Sequence, residues 1–213
     1  MFMRGSLEGN LGGSSIAALY RHRETWAVSW RVDHPFQILG IEPCLVISNE
    51  ALGDAFREAG RLAHPDAGGG DGDFAKLREA YAAISSPSRR LRAWLELRGT
   101  PGEVRGTIEA SLMEVFSEVG AVTQLAETLI RKREEAKSVL VRAMLEGETQ
   151  ICREAVEKMN FTVEALIAEE CALFPEWENS VTFDVELASK ATRNLAFFEK
   201  WRGGLRSCYS RLV

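Results

Sequence analysis

Apolar side chains recur along most of this chain at steps of three and four, the spacing of one face of an α-helix. Leu52, Phe56, Ala59 and Ala63 keep that rhythm, as do Phe74, Leu77, Tyr81 and Ile84, and a third run holds Leu91, Trp94 and Leu95. The residues between these runs are helix punctuation. Pro35 fits a first helical turn, and Gly40 closes a turn or two of helix over Phe36–Leu39. Ser48 is placed to cap the next helix, with Glu50 near its positive end. Pro65 and the run Gly68-Gly69-Gly70 stop that helix. Ser86 and Pro87 supply the cap and first position of another, which Gly99-Thr100-Pro101-Gly102 ends. The pattern predicts two antiparallel helices joined by a glycine-rich loop and flanked by short helices.

Beyond this hairpin the helical rhythm continues to the C-terminus. Thr107 is placed to cap a helix whose apolar face includes Leu112, Val115, Val119, Val122, Leu125 and Leu129, and Gly147 suggests a break. A second helix carries Ile151, Ala155, Met159, Val163 and Leu166 and ends before Pro175; a third carries Ala188, Ala191, Leu195, Phe198, Leu205 and Tyr209. Three amphipathic helices on one stretch are expected to bury their stripes against one another as a bundle. No segment alternates as a strand does, so the expected fold class is all-α. The expected organisation is a flexible N-terminal extension (1–32), a hairpin domain (33–99), a linker (100–106) and a C-terminal three-helix domain (107–213).

Composition narrows the function classes. Hydrophobic residues make up 46% and charged residues 27%, the balance of a globular protein rather than a disordered one. The net charge is −5 without a dense Lys/Arg block, which argues against nucleic acid as a partner. No apolar run reaches membrane-spanning length, so no membrane association is expected. Cys44, Cys152, Cys171 and Cys208 are far apart, with no C-x-x-C pair, and His22, His34 and His64 are the only histidines. Neither set suggests a metal centre, and no cofactor is expected. The thiols read as buried side chains in a reducing compartment, hence a cytoplasmic protein, or a mitochondrial matrix protein in a eukaryote. Arg4, Arg21, Arg23 and Arg31 would suit a transit peptide, but Glu8, Glu24 and Asp33 are unusual in one.

The candidate chemistry concentrates at His64-Pro65-Asp66, between the end of one amphipathic helix and the glycine-rich loop. Proline pushes the residue before it out of helical geometry and cannot extend the helix. The tripeptide is therefore expected at an exposed corner that offers an imidazole and a carboxylate to a partner. Arg57 and Arg61, one turn apart on the preceding helix, are the candidate cations beside it. Glu50, Asp54 and Glu58 share that helix, so its basic face is weak.

Phe36, Leu39, Gly40 and Ile41 resemble the Tyr-x-x-Leu-Gly-Val opening of J domains. Glu79-Ala80-Tyr81, followed by Ile84-Ser85-Ser86-Pro87, resembles their third helix. The likeness spans about 34–99 in the expected order, and it implies a J-domain helical hairpin followed by a C-terminal three-helix bundle. In J domains the His-Pro-Asp corner stimulates ATP hydrolysis by a DnaK-type partner, a role the resemblance carries to His64, Pro65 and Asp66. Ala63 stands where a large residue is usual.

Within the J proteins the chain resembles the HscB type, the co-chaperones of iron–sulfur cluster assembly. Arg90 to Gly99 resembles the run that closes the HscB J domain, Leu112-Met113-Glu114 the start of its client-binding helix, and Arg193 to Trp201 a segment near its end. The stretch 120–189 does not align with that family. The resemblance implies a DnaK/HscA-class ATPase and an IscU-like iron–sulfur scaffold protein as partners, with Leu112, Met113, Phe116 and Phe197 as client-binding residues. Ser117 and Gly120 stand where that surface would carry glutamates. Helical spacing supports part of this: Met113 and Phe116 lie beside the stripe of Val115 and Val119, and Phe197 lies about 100° around its helix from Phe198. No P-loop, dinucleotide fingerprint, G-x-S-x-G or H-E-x-x-H motif is present, so no catalytic residue is assigned and the chain is read as a partner of an enzyme. Two alternatives stay open: a J-domain protein with a different client, and a non-catalytic helical scaffold with a degenerate J domain.

Overall fold

The structure is a computed structural model that describes residues 33–63, 72–100 and 110–213. Among the described residues every regular element is helical and no strand occurs, so the fold is all-α as expected. The elements are α1 (Pro35–Ile38), α2 (Asn49–Leu62), α3 (Asp73–Ser85), α4 (Pro87–Leu97), α5 (Ala110–Glu135), α6 (Val139–Cys171), α7 (Phe174–Asn179) and α8 (Val185–Leu212). The extension 1–32, most of the linker 100–106 and the Thr107 cap lie outside the described residues.

Helix ends sit where local chemistry puts them. Ser48 accepts a hydrogen bond from the Ala51 N–H, and Ser86 accepts one from Arg89 while Pro87 opens α4. Gly40 and Gly99 have φ of +66° and +71°. Each stands just past a helix, and the residue after it donates back three positions before the helix cap. Ile41 donates to Phe36 at 3.0 Å and Thr100 to Leu95 at 3.1 Å. That is the Schellman closure, which needs a residue able to adopt the left-handed region.

The contacts divide the described chain into two units, and the division falls inside α3, between Tyr81 and Ala82. In the first unit, α2 and α3 run antiparallel. The Phe56 ring lies 4.7 Å from Tyr81 and 6.3 Å from Phe74, while a Cβ on Gly60 would meet Leu77 at 3.8 Å. Phe36, Leu52 and Leu77 are its fully buried anchors. Phe74, expected on the buried stripe, is half exposed at 49% because it sits in the first turn of α3.

The second unit contains α4 through α8 and the segment Cys44–Val46. Here α6 pairs with α8, α5 packs on both, and α4 packs on α8. The sequence reading divides the chain at Gly99, where α4 closes, whereas the contacts group α4 with the C-terminal helices. The buried Leu91, Trp94 and Leu95 of α4 are the physical reason. Gly147 does not break the chain. It lies inside α6, which runs 33 residues, and the turn falls at 136–138 instead. One helical glycine costs about 1 kcal/mol against alanine, which a long packed helix absorbs.

On α5 and α6 the buried stripe is rotated from the one expected, whereas α8 buries Ala188, Ala191, Leu195, Phe198 and Leu205 as expected. On α5 Leu125 is exposed while Ala126, Leu129 and Ile130 are buried. On α6 Ile151 is 69% exposed, and Cys152, Val156 and Val163 face the core. On α8 Tyr209 gives way to Cys208.

Candidate functional site

The corner His64-Pro65-Asp66 lies outside the described residues. The described chain reaches Ala63, one residue past α2, and Arg57 and Arg61 occupy the last two turns of that helix. Both are well exposed, and each is bound by the carboxylate three residues earlier, Arg57 by Asp54 and Arg61 by Glu58. Such exposed i,i+3 pairs contribute little to stability. They do moderate the positive face, because each guanidinium carries a carboxylate beside it.

The second candidate site lies on α5 and α8, inside the second unit. Met113 and Phe116 are exposed at 46% and 44%, and Leu112 and Phe197 are half-buried. Phe116 and Phe197, far apart in sequence, lie against the same indole: their rings are 5.9 Å and 6.3 Å from Trp201. Phe198 supports that indole from the core at 5.6 Å. Trp201 is only 7% exposed, so it acts as a floor with the two phenylalanines standing on it. Sequence reasoning did not single out Trp201. Its signal was the i,i+4 spacing from Phe197, which places both on one side of α8.

Beside this aromatic surface lie two small residues, Ser117 and Gly120, at the positions where the resemblance implied glutamates. The Ser117 hydroxyl donates to the Met113 carbonyl at 2.8 Å, and Gly120 faces open space. The surface beside Phe116 is accordingly flatter and less charged than a pair of glutamates would make it.

Two residues past Phe197, Glu199 holds α4 onto α8. Its carboxylate accepts from the hydroxyls of Ser86 and Ser88 at 2.7 and 2.6 Å and from the Ser88 N–H at 3.3 Å. The cap of α4 is thus itself gripped by a charge, favourable at the positive end of a helix. Nearby, Glu178 accepts the Leu45 and Val46 N–H groups at 3.0 and 2.8 Å, tying Cys44–Val46 to α7. Arg90 donates to the Ile84 carbonyl at 2.8 Å and stacks over Phe174, and burial lowers its pKa from the usual arginine range.

These contacts organise structure rather than chemistry. Burial pushes the Cys171 thiol up to about 11, which suppresses the nucleophilic thiolate, and burial raises Cys152 and Cys208 as well. Among the described residues no three His, Cys, Asp or Glu side chains gather where they could hold a metal ion. Among those residues, too, no helix is long and apolar enough to cross a membrane. No family model matches the chain, and no curated protein matches it.

Proposed function

We propose that this protein is a J-type co-chaperone of the HscB kind: it stimulates a DnaK/HscA-class ATPase through His64-Pro65-Asp66 and presents an IscU-like iron–sulfur scaffold on α5 and α8. The observation that carries the reading is the meeting of Phe116 and Phe197 over Trp201. Both residues came from resemblance at opposite ends of the C-terminal helices, and both stand partly exposed on one aromatic floor. Aromatic side chains around a buried anchor are the usual composition of a protein-binding hot spot. The exposed Arg57 and Arg61 leading toward the corner supply the cations for chaperone docking. The protein itself performs no bond chemistry; its action is to bring a client to a chaperone and to favour ATP hydrolysis there.

The test has two arms. In single-turnover ATPase assays with a DnaK/HscA-class chaperone, Asp66→Asn and His64→Gln abolish stimulation while helicity and melting stay near wild type. A charge-assisted hydrogen bond to Asp66 is worth about 1.5–3 kcal/mol, enough to control a transient contact. In binding assays, Phe116→Ala/Phe197→Ala weakens an IscU-like scaffold at least tenfold. Both rings are only partly buried, so each truncation costs stability well below the ~3–5 kcal/mol of a core aromatic. Full stimulation by the corner variants refutes the co-chaperone reading.

Ser117 and Gly120 favour one second reading, a J-type protein with a client other than an iron–sulfur scaffold. Wild-type stimulation of the chaperone together with no affinity for the scaffold selects it.

A further inference from the structure

The first half of α6 carries an apolar stripe on the side away from the core. Leu140, Met144 and Ile151 are 70%, 73% and 69% exposed, and Gly147 between them has nothing within 4 Å of its Cβ position. At 100° per residue these four positions fall within an arc of about 60°. The buried Cys152, Val156 and Val163 lie about 130° around the same helix. The stripe therefore takes no part in the core of its own unit, and its spacing of four, three and four is that of a coiled-coil seam.

We propose that this stripe is a self-association surface, on which α6 of a second copy packs antiparallel. Reversing the helix about its own stripe produces a matched register. Leu140 faces Ile151 of the second copy, Met144 fits over its Gly147, and the relation repeats by two-fold symmetry. At each end Glu154 of one copy lies across from Lys137 of the other, just ahead of the helix start. The flanking charges argue for a copy of this chain over a strongly charged partner. Glu146 is paired with Arg153 at 2.9 Å and Glu148 lies 4.0 Å from Lys132, so the rim beside the stripe is nearly neutral. In the reversed register Val141 meets Glu148 and Ala143 meets Gln150, so no like charges oppose.

The exposed portions of Leu140, Met144 and Ile151 with their flanks amount to roughly 800–1,000 Å² over two copies, short of the ~1,200 Å² at which stable interfaces begin and in the range of weak, transient association. The dimer is accordingly concentration-dependent rather than obligate.

Sedimentation velocity of the full chain over a roughly hundredfold concentration series tests it. The weight-average mass is expected to climb from monomer toward dimer. Met144→Glu/Ile151→Glu, at positions too exposed to disturb the fold, weakens association at least tenfold with an unchanged circular dichroism spectrum. Phe161→Glu alters a residue 76% exposed on the same helix but beyond the overlap that ends at Glu154 and Lys137, and leaves association intact. A Met144→Cys/Gly147→Cys variant, oxidised at the high end of that concentration series, is trapped as a covalent dimer because those two positions face each other in the antiparallel register. A monomer at every concentration overturns the proposal, whether the stripe then belongs to another protein or to none. So does a glutamate variant that associates like wild type, or failure of the cysteine pair to cross-link.

Discussion

Glu199→Ala is the most informative single perturbation of the second unit. It removes three hydrogen bonds to one carboxylate, two from the Ser86 and Ser88 hydroxyls and one from the Ser88 N–H. Ser88 is only 3% exposed, so its donors cannot turn to water. Each charge-assisted bond is worth about 1.5–3 kcal/mol, and a stranded buried donor costs about 1–3 kcal/mol. Two effects reduce the sum. The Ser88 hydroxyl can turn to the Ser86 hydroxyl 3.2 Å away, and the Glu199 carboxylate no longer has to be desolvated. A net loss of about 3 kcal/mol is expected.

Equilibrium urea unfolding followed by tryptophan fluorescence measures it, since Trp94 on α4 and Trp201 on α8 flank the contact in sequence and are both buried. A cycle with Ser88→Ala isolates the pair, with an expected coupling of about 1–2 kcal/mol. Glu199→Gln, which keeps an acceptor, recovers about half of the loss. A change below about 0.5 kcal/mol in Glu199→Ala, or no coupling to Ser88, refutes the claim that this carboxylate fastens α4 to α8.

Two further outcomes are expected. Gly147→Ala stabilises the monomer by about 0.5–1 kcal/mol, read by thermal or urea unfolding at low concentration, because the added methyl meets nothing within 4 Å and the helix gains propensity. The Cys171 thiol, raised from the ordinary value of 9.0 to about 11, reacts with iodoacetamide near pH 8 roughly a hundredfold more slowly than in the unfolded chain. Its contribution to stability is complete below pH 9 and declines as pH rises toward 11, because the unfolded chain releases that proton first. Equal alkylation rates in folded and unfolded protein contradict that environment.

What a few neighbouring residues decide was legible in the sequence. Ser48 and Ser86 cap the helices they precede, Pro87 opens α4, and Gly40 and Gly99 close α1 and α4 at positive φ. Each of these is set by side chains and backbone within five residues, so tertiary context does not overrule it. The all-helical class followed from the same local source, the three-and-four spacing of apolar positions. The phase of the stripes on α5 and α6 did not, although that on α8 did. Leu125 and Ile151 sit at helical spacing from buried neighbours, yet they face outward because the helices that cover α5 and α6 lie to one side. A wide apolar face does not say which of its edges will be covered, and Gly147 does not say that a helix 33 residues long will hold it.

The candidate client surface divides the same way. The sequence alone marked Phe116 and Phe197 as apolar residues beside the core stripe. That the two share the Trp201 indole depends on α5 packing against α8, a contact between residues too far apart in the chain for any local pattern to record. The attachment of α4 to α8 through Glu199 is of that kind too. One carboxylate meets two serines more than a hundred residues away, and only the folded bundle brings them within hydrogen-bonding distance.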